Sequence, residues 1–217
     1  MNTYKVILFD LDGTLSDPKI GITKSVQFAL KKMNIIETDL DTLVNFIGPP
    51  LQVTFPEFYH FDEKETEKAI QYYRVRFQEK GMFENELYPH VTTLLKALKK
   101  QQLTLVVATS KPTIFAEQIL NYFQIAHYFE LIVGSNLDGT RNSKTEIIQY
   151  ILGIYQEYQP SDFIMIGDRK HDIIGAKNVG VHSIGVTYGY GSEEEINLAK
   201  PTYIVKHVND LGSILIG

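Results

Sequence analysis

Asp10 and Asp12 stand two residues apart in Phe9-Asp10-Leu11-Asp12-Gly13-Thr14, directly after the first apolar run of the chain. Residues i and i+2 of an extended segment leave the same side of the backbone, so both carboxylates address one place, and Gly13 lets the chain turn close to a ligand there. Such a pair can divide acid–base work between two carboxyls of different pKa. A polar strand end followed by a turn accounts for the same residues. The pair therefore gains meaning from what accompanies it.

A second acidic pair, Asp168 and Asp172, lies in Gly167-Asp168-Arg169-Lys170-His171-Asp172 after another apolar run. Residues four apart share a helix face, although Asp168 alone reads equally well as an N-cap. Thr109-Ser110-Lys111-Pro112 ends a third run, and Lys144 opens a helical segment beside a Ser143/Glu146 capping box. If Asp10, Asp12, Asp168 and Asp172 converge, up to four negative charges face one from Lys144, which is costly without a hard divalent cation. Carboxylate oxygens, with no cysteine and no histidine cluster, suit magnesium better than zinc. Residual repulsion is expected to keep one carboxyl protonated near neutrality, as a general acid must be.

The elements that must position these groups are short β-branched runs: Tyr4 to Phe9, Leu103 to Ala108, Leu131 to Val133, Phe163 to Ile166, Val181 to Val186 and Tyr203 to Val205. They read as strands. Helical periodicity lies between the later ones, in Val91/Leu94/Leu95/Leu98, Phe115/Ile119/Tyr122/Phe123 and Ile147/Ile148/Ile151/Leu152/Tyr155. Continuous apolar strands joined by crossover helices imply an α/β fold with a doubly wound parallel sheet. The chemistry-bearing residues all follow strands and so fall on one sheet edge, where open α/β sheets bind ligands.

Between Phe9 and Leu103 the pattern is helical instead. Asp17-Pro18 starts Ile22/Val26/Ala29/Leu30/Met33; Leu40/Leu43/Val44/Ile47 forms another face; Gly48-Pro49-Pro50 interrupts; and an Asp62/Glu65 capping box leads into Ala69/Ile70/Tyr73/Phe77. Residues 16–82 are thus expected to form an inserted helical cap domain, with 1–15 and 83–217 forming the α/β core. Lys19, Lys24, Arg74 and Arg76 are its candidates for meeting an anionic leaving group, with helix-surface solvation as the bland alternative.

The 217 residues suit one core with an insertion, and 44% hydrophobic with 22% charged residues is a globular composition. The absence of cysteine excludes disulfide scaffolds, thiolate metal sites and cysteine nucleophiles. A net charge of -5, from 21 Lys plus Arg against 26 Asp plus Glu, gives no general attraction for nucleic acid or anionic lipid. No apolar run reaches membrane-spanning length, and Val6 to Phe9 is too short for a secretory signal, so a cytoplasmic location is expected.

Taken together, FDLDGTLSDP, ATSKP, Lys144 and IGDRKHD resemble, in order and spacing, the four motifs of the haloacid dehalogenase superfamily, and the insertion is similar to the helical cap of its phosphatases. The resemblance implies a magnesium-dependent phosphatase for a small phosphorylated metabolite. Asp10 would be the nucleophile that forms an aspartyl-phosphate, and Asp12 the acid and base. Thr109 and Lys144 would hold phosphate and neutralise charge, with Thr14, Ser110 and Lys111 on the substrate side. The Mg2+ set would be Asp10, the Asp12 backbone carbonyl and Asp168, with Asp172 beside them. Asp12 argues against halide removal, because only an alkoxide leaving group needs that proton. GPPL, SNLDGTR and VTYGYGSEEE look like the branch of phosphoglycolate phosphatases and 5'-nucleotidase-like enzymes. A sugar phosphomutase and a phosphoryl-holding receiver module are the alternatives.

Overall fold

Six of the apolar runs form strands in the computed structural model, which describes residues 4–217: β1 (Val6–Phe9), β2 (Thr104–Pro112), β3 (Leu131–Ser135), β4 (Phe163–Gly167), β5 (His182–Val186) and β6 (Tyr203–Val205). They pair in the order β3-β2-β1-β4-β5-β6, every pairing parallel. Strand order reverses beside β1, and β1 and β4 are neighbours, so the ends that carry Asp10 and Asp168 lie together at the switch point. β2 runs further than the sequence suggests: it continues past Ala108 through a register shift to Pro112, which pairs with Ser135. A proline is tolerated in such an irregular stretch because no ladder hydrogen bond is asked of its nitrogen.

Contacts divide the chain into two units, one made of the segment ending at Asp17 with Leu87–Gly217, the other of Pro18–Glu86. The second is helical: α1 (Lys19–Lys32), a 3₁₀ segment Asp41–Phe46, α2 (Leu51–Tyr59) and α3 (Glu63–Glu79). Asp62 and Glu65 form the capping box of α3. The periodicity around Leu40–Ile47 yields only the 3₁₀ turn, which buries Leu43 and Phe46. Helix α2 has no clear sequence signal because Pro56 sits inside it. Its packing supplies what propensity lacks: Phe46, Phe55, Phe58, Tyr59 and Phe61 form a chain of ring contacts at 5.0–6.1 Å between centroids.

In the sheet-bearing unit, α4 (Val91–Lys100), α5 (Thr113–Tyr122), α6 (Lys144–Ile154), α7 (Lys170–Asn178), α8 (Glu193–Ala199) and α9 (Val208–Leu215) surround the strands. Alternation along the strands fills both faces. Val6, Leu8, Val106, Ala108, Phe163 and Met165 join Ile147, Ile148 and Ile151 of α6 in one cluster, while Ile7, Phe9, Leu105, Val107, Ile164 and Ile166 are buried as well. A sheet buried on both faces is what continuous apolar strands predict. Tyr122, read as part of the apolar face of α5, is exposed; Ala116 and Leu120 are buried in its place. Two strands of two residues, Ser16–Asp17 and Glu86–Leu87, are too short for any periodicity to show. Among the described residues no helix is long and apolar enough to cross a membrane.

Candidate active site

Asp10 leaves β1 at its carboxyl end, its amide still bound to the Ile166 carbonyl at 2.9 Å, and one oxygen of its side chain accepts from the Leu11 amide at 2.8 Å. The same oxygen lies 2.7 Å from Lys144 Nζ. Lys144 is the first residue of α6, held there by the Ser143/Glu146 box, and its ammonium also meets Asp172 Oδ1 at 2.6 Å and the Ala108 carbonyl at 2.8 Å. Burial pulls its pKa down, but Asp10 and Asp172 more than offset this and leave it raised.

The second acidic pair arrives from the neighbouring strand. Asp168 is fully buried, and Asp172 is buried on the first turn of α7. Asp168 is not the N-cap of that helix; Arg169 is, and its amide donates to Asp172 Oδ2 at 3.1 Å. Carboxylate oxygens of Asp10, Asp168 and Asp172 lie within 4.8 Å of one another. Asp168 accepts from the Tyr190 amide at 2.7 Å and, at 3.4 Å, from the Thr14 hydroxyl. Gly13, with φ +82°, lets the turn approach so closely that a Cβ there would stand 2.2 Å from Asp168 Oδ2.

Asp12 faces elsewhere. Its Oδ2 pairs with Lys111 Nζ at 2.8 Å, while its buried Oδ1 has no hydrogen-bond partner. The charge balance is therefore two lysines, Lys111 and Lys144, against four carboxylates, rather than the single lysine expected from the sequence. Burial raises the pKa of Asp12, with Lys111 opposing it and Asp10 adding to it. Burial is also the largest cause for Asp168, held well above the usual carboxylate range, and for Asp172, pushed up to about 6, with neighbouring carboxylates reinforcing both. Desolvation, more than the expected repulsion, thus keeps a proton in the cluster. Thr109 is buried near the end of β2 and its Oγ1 accepts from the Lys111 amide at 3.3 Å; Ser110 is half-buried beside it.

Three buried carboxyls converging on one place, all oxygen donors, with burial and neighbouring carboxylates raising the pKa of Asp168 and Asp172, fit a hard divalent cation. Three of the four candidate basic residues of the helical unit pair within that unit: Lys19 with Asp41 at 2.6 Å, and Lys24 and Arg76 with Glu84 at 3.7 and 2.9 Å. Arg74 is half-buried, and burial lowers its pKa. Sequence reasoning missed the support given to Asp168 by Tyr190. The paired glycines of Tyr188-Gly189-Tyr190-Gly191 were the available signal.

The family model described as haloacid dehalogenase-like hydrolase matches residues 7–186. The chain belongs to that family. Among haloacid dehalogenase-like relatives, a Pseudomonas aeruginosa protein named 5'-nucleotidase is 46% identical over 215 residues, 98% of this chain and 96% of its own. A Colwellia psychrerythraea phosphoglycolate phosphatase is 31% identical and matches 95% of each chain. A crystal structure of a predicted phosphatase from Clostridium acetobutylicum superposes with a TM-score of 0.95 at 49% identity, covering 98% of both chains. The doubly wound core is thus the core of a known hydrolase family, and the site described above occupies its strand ends.

Proposed function

We propose that the chain is a magnesium-dependent phosphatase that hydrolyses small phosphate monoesters through an aspartyl-phosphate on Asp10. The observation that carries this is the convergence of Asp10, Lys144, Asp168 and Asp172, with the Asp12–Lys111 pair on the adjoining turn. Asp10 is held by two donors, the Leu11 amide and Lys144, which fix its carboxyl plane for attack on phosphorus. Asp12, raised in pKa and with one oxygen free of partners, gives its proton to the departing alkoxide and later takes one from the water that opens the acyl-phosphate. Lys144 and the Thr109–Lys111 segment supply positive charge and donors for phosphoryl oxygens. A Mg2+ ion held by Asp10, Asp168 and the Asp12 carbonyl, with Asp172 beside them, would neutralise the phosphoryl group when bound.

The name of the relative at 46% identity puts nucleoside 5'-monophosphates first among substrates, with phosphoglycolate second. A cytoplasmic location accords with a metabolite substrate. The test is phosphate release over a metabolite panel with Mg2+ and then with chelator, for the wild type and Asp10→Asn. Release by the wild type that chelation stops and Asp10→Asn abolishes, with its fold intact, supports the reading; a mutant retaining most of its turnover overturns it.

A further inference from the structure

The loop between β5 and α8 passes directly over Asp168. The Tyr190 amide donates to Asp168 Oδ2 at 2.7 Å, and the Tyr190 hydroxyl is hydrogen-bonded to Asp17 Oδ1. The Tyr188 hydroxyl donates to the Thr14 carbonyl at 3.0 Å, and its ring packs edge-on against Tyr88 at 5.0 Å. Thr14 in turn reaches Asp168 Oδ1, closing a ring of contacts between the loop, the turn after β1 and the buried carboxyl. Both ends of the loop are pinned. The Thr187 amide donates to the Val205 carbonyl at 3.0 Å, and Ser192 Oγ caps α8 by accepting from Glu195 at 3.0 Å.

Close approach is built into the loop. A Cβ on Gly189 would lie 2.4 Å from Asp168 Cβ, and one on Gly191 would lie 1.9 Å from the Asp168 carbonyl oxygen. Packing alone would be served by a phenylalanine at position 190; the hydroxyl serves its hydrogen-bond partners, Asp17 on the chain leaving the turn and the Tyr88 side chain. Asp17 stands where the chain leaves the sheet-bearing unit, so the phenol ties that exit to the loop.

We propose that Tyr190 is a positioning residue for Asp168: its hydroxyl, anchored on Asp17, holds the loop so that its amide orients the carboxyl for a divalent cation. This rests on the cation reading of the site. The effect travels through one backbone N–H group, the Tyr190 amide on Asp168 Oδ2.

The test is calorimetric titration of the substrate-free protein with Mg2+. Tyr190→Phe weakens Mg2+ binding about tenfold, the size expected when a hydrogen bond to a charged group is lost. KM at saturating Mg2+ and the melting temperature in chelator stay near wild-type values. Asp17→Ala reproduces the loss, Asp17→Asn, which keeps an acceptor, restores most of the affinity, and Tyr190→Phe added to Asp17→Ala costs nothing further. Wild-type Mg2+ affinity in both Tyr190→Phe and Asp17→Ala overturns the inference and leaves the cation reading standing. A wild-type protein that binds no Mg2+ and turns over in chelator overturns both. Should Tyr190→Phe not fold, the Asp17 pair carries the same comparison.

Discussion

Lys144 Nζ lies 2.7 Å from Asp10 Oδ1, and both side chains are almost wholly withdrawn from solvent. Asp172 Oδ1 lies 2.6 Å from the same nitrogen, and the Ala108 carbonyl accepts a hydrogen bond from the ammonium at 2.8 Å. The lysine is therefore a structural counter-charge as well as a candidate catalytic one. Lys144→Met removes it and strands two buried carboxyls, a loss of ~3–5 kcal/mol for a broken buried pair. Urea unfolding at neutral pH reads that loss, and added Mg2+ should return part of it. Turnover should fall by ~10²–10³ or more, as when a charge-stabilising donor is removed. Unchanged urea midpoints with activity within a few-fold of wild type would remove Lys144 from both roles.

The role of Asp12 depends on the leaving group. Its pKa is raised chiefly by burial, and Lys111 beside it opposes that. A carboxyl that protonates an alkoxide matters most where that alkoxide is a poor leaving group. Asp12→Asn is expected to slow alkyl phosphates such as nucleoside monophosphates by ~10²–10⁴, the span of general acid catalysis. The loss on p-nitrophenyl phosphate, whose phenolate needs no proton, should be at least tenfold smaller. Equal losses on both esters would take the proton-donor role from Asp12.

Proton and cation compete for the acidic cluster. Burial raises Asp168 well above the usual carboxylate range and Asp172 to about 6, against an ordinary value of 3.8. Between those values the cation-free folded chain binds more protons than the unfolded one, so these groups contribute stability at low pH that is lost as pH rises. The loss approaches ~1.4 kcal/mol per pH unit for each group inside its window. Mg2+ should displace those protons. Its stabilisation, read as a shift in melting temperature against a chelator control, should increase from pH 5 to pH 7. Calorimetry at pH 6 in buffers of different ionisation enthalpy should show protons released on binding. A Mg2+ shift independent of pH, with no proton release, would contradict the assigned pKa directions.

Much of this was legible in the sequence, for reasons that particular residues show. Asp10 and Asp168 could be placed because apolar runs mark strands, and parallel topology sends all strand ends to one edge. The capping boxes at Asp62 and Ser143 were legible because they depend on residues three apart. Helix α2 was not, since Pro56 masks it and its support comes from rings distant in sequence such as Phe46 and Phe61. Nor was the Lys111–Asp12 pair, or Tyr190 over Asp168, because each joins segments that only the tertiary fold brings together. Local rules report spacing along one element; they say nothing of which loop closes over a strand end.

Gly13 offers a contrast that separates backbone need from mere absence of a side chain. Its φ of +82° disfavours any L residue, and a Cβ there would meet Asp168 Oδ2 at 2.2 Å, whereas a Cβ on Gly153 near the end of α6 meets nothing within 4 Å. Gly13→Ala should cost ~1–2 kcal/mol for the left-handed backbone and a further ~1–3 kcal/mol for overpacking. Because the clash falls on Asp168, Mg2+ affinity should drop as well. Gly153→Ala should instead be neutral or stabilising by up to ~1 kcal/mol, since a helix favours alanine over glycine. Chemical unfolding of the two variants, with and without Mg2+, measures both effects. A Gly13→Ala protein as stable and as responsive to Mg2+ as Gly153→Ala would mean that the turn after β1 does not press on Asp168 as described.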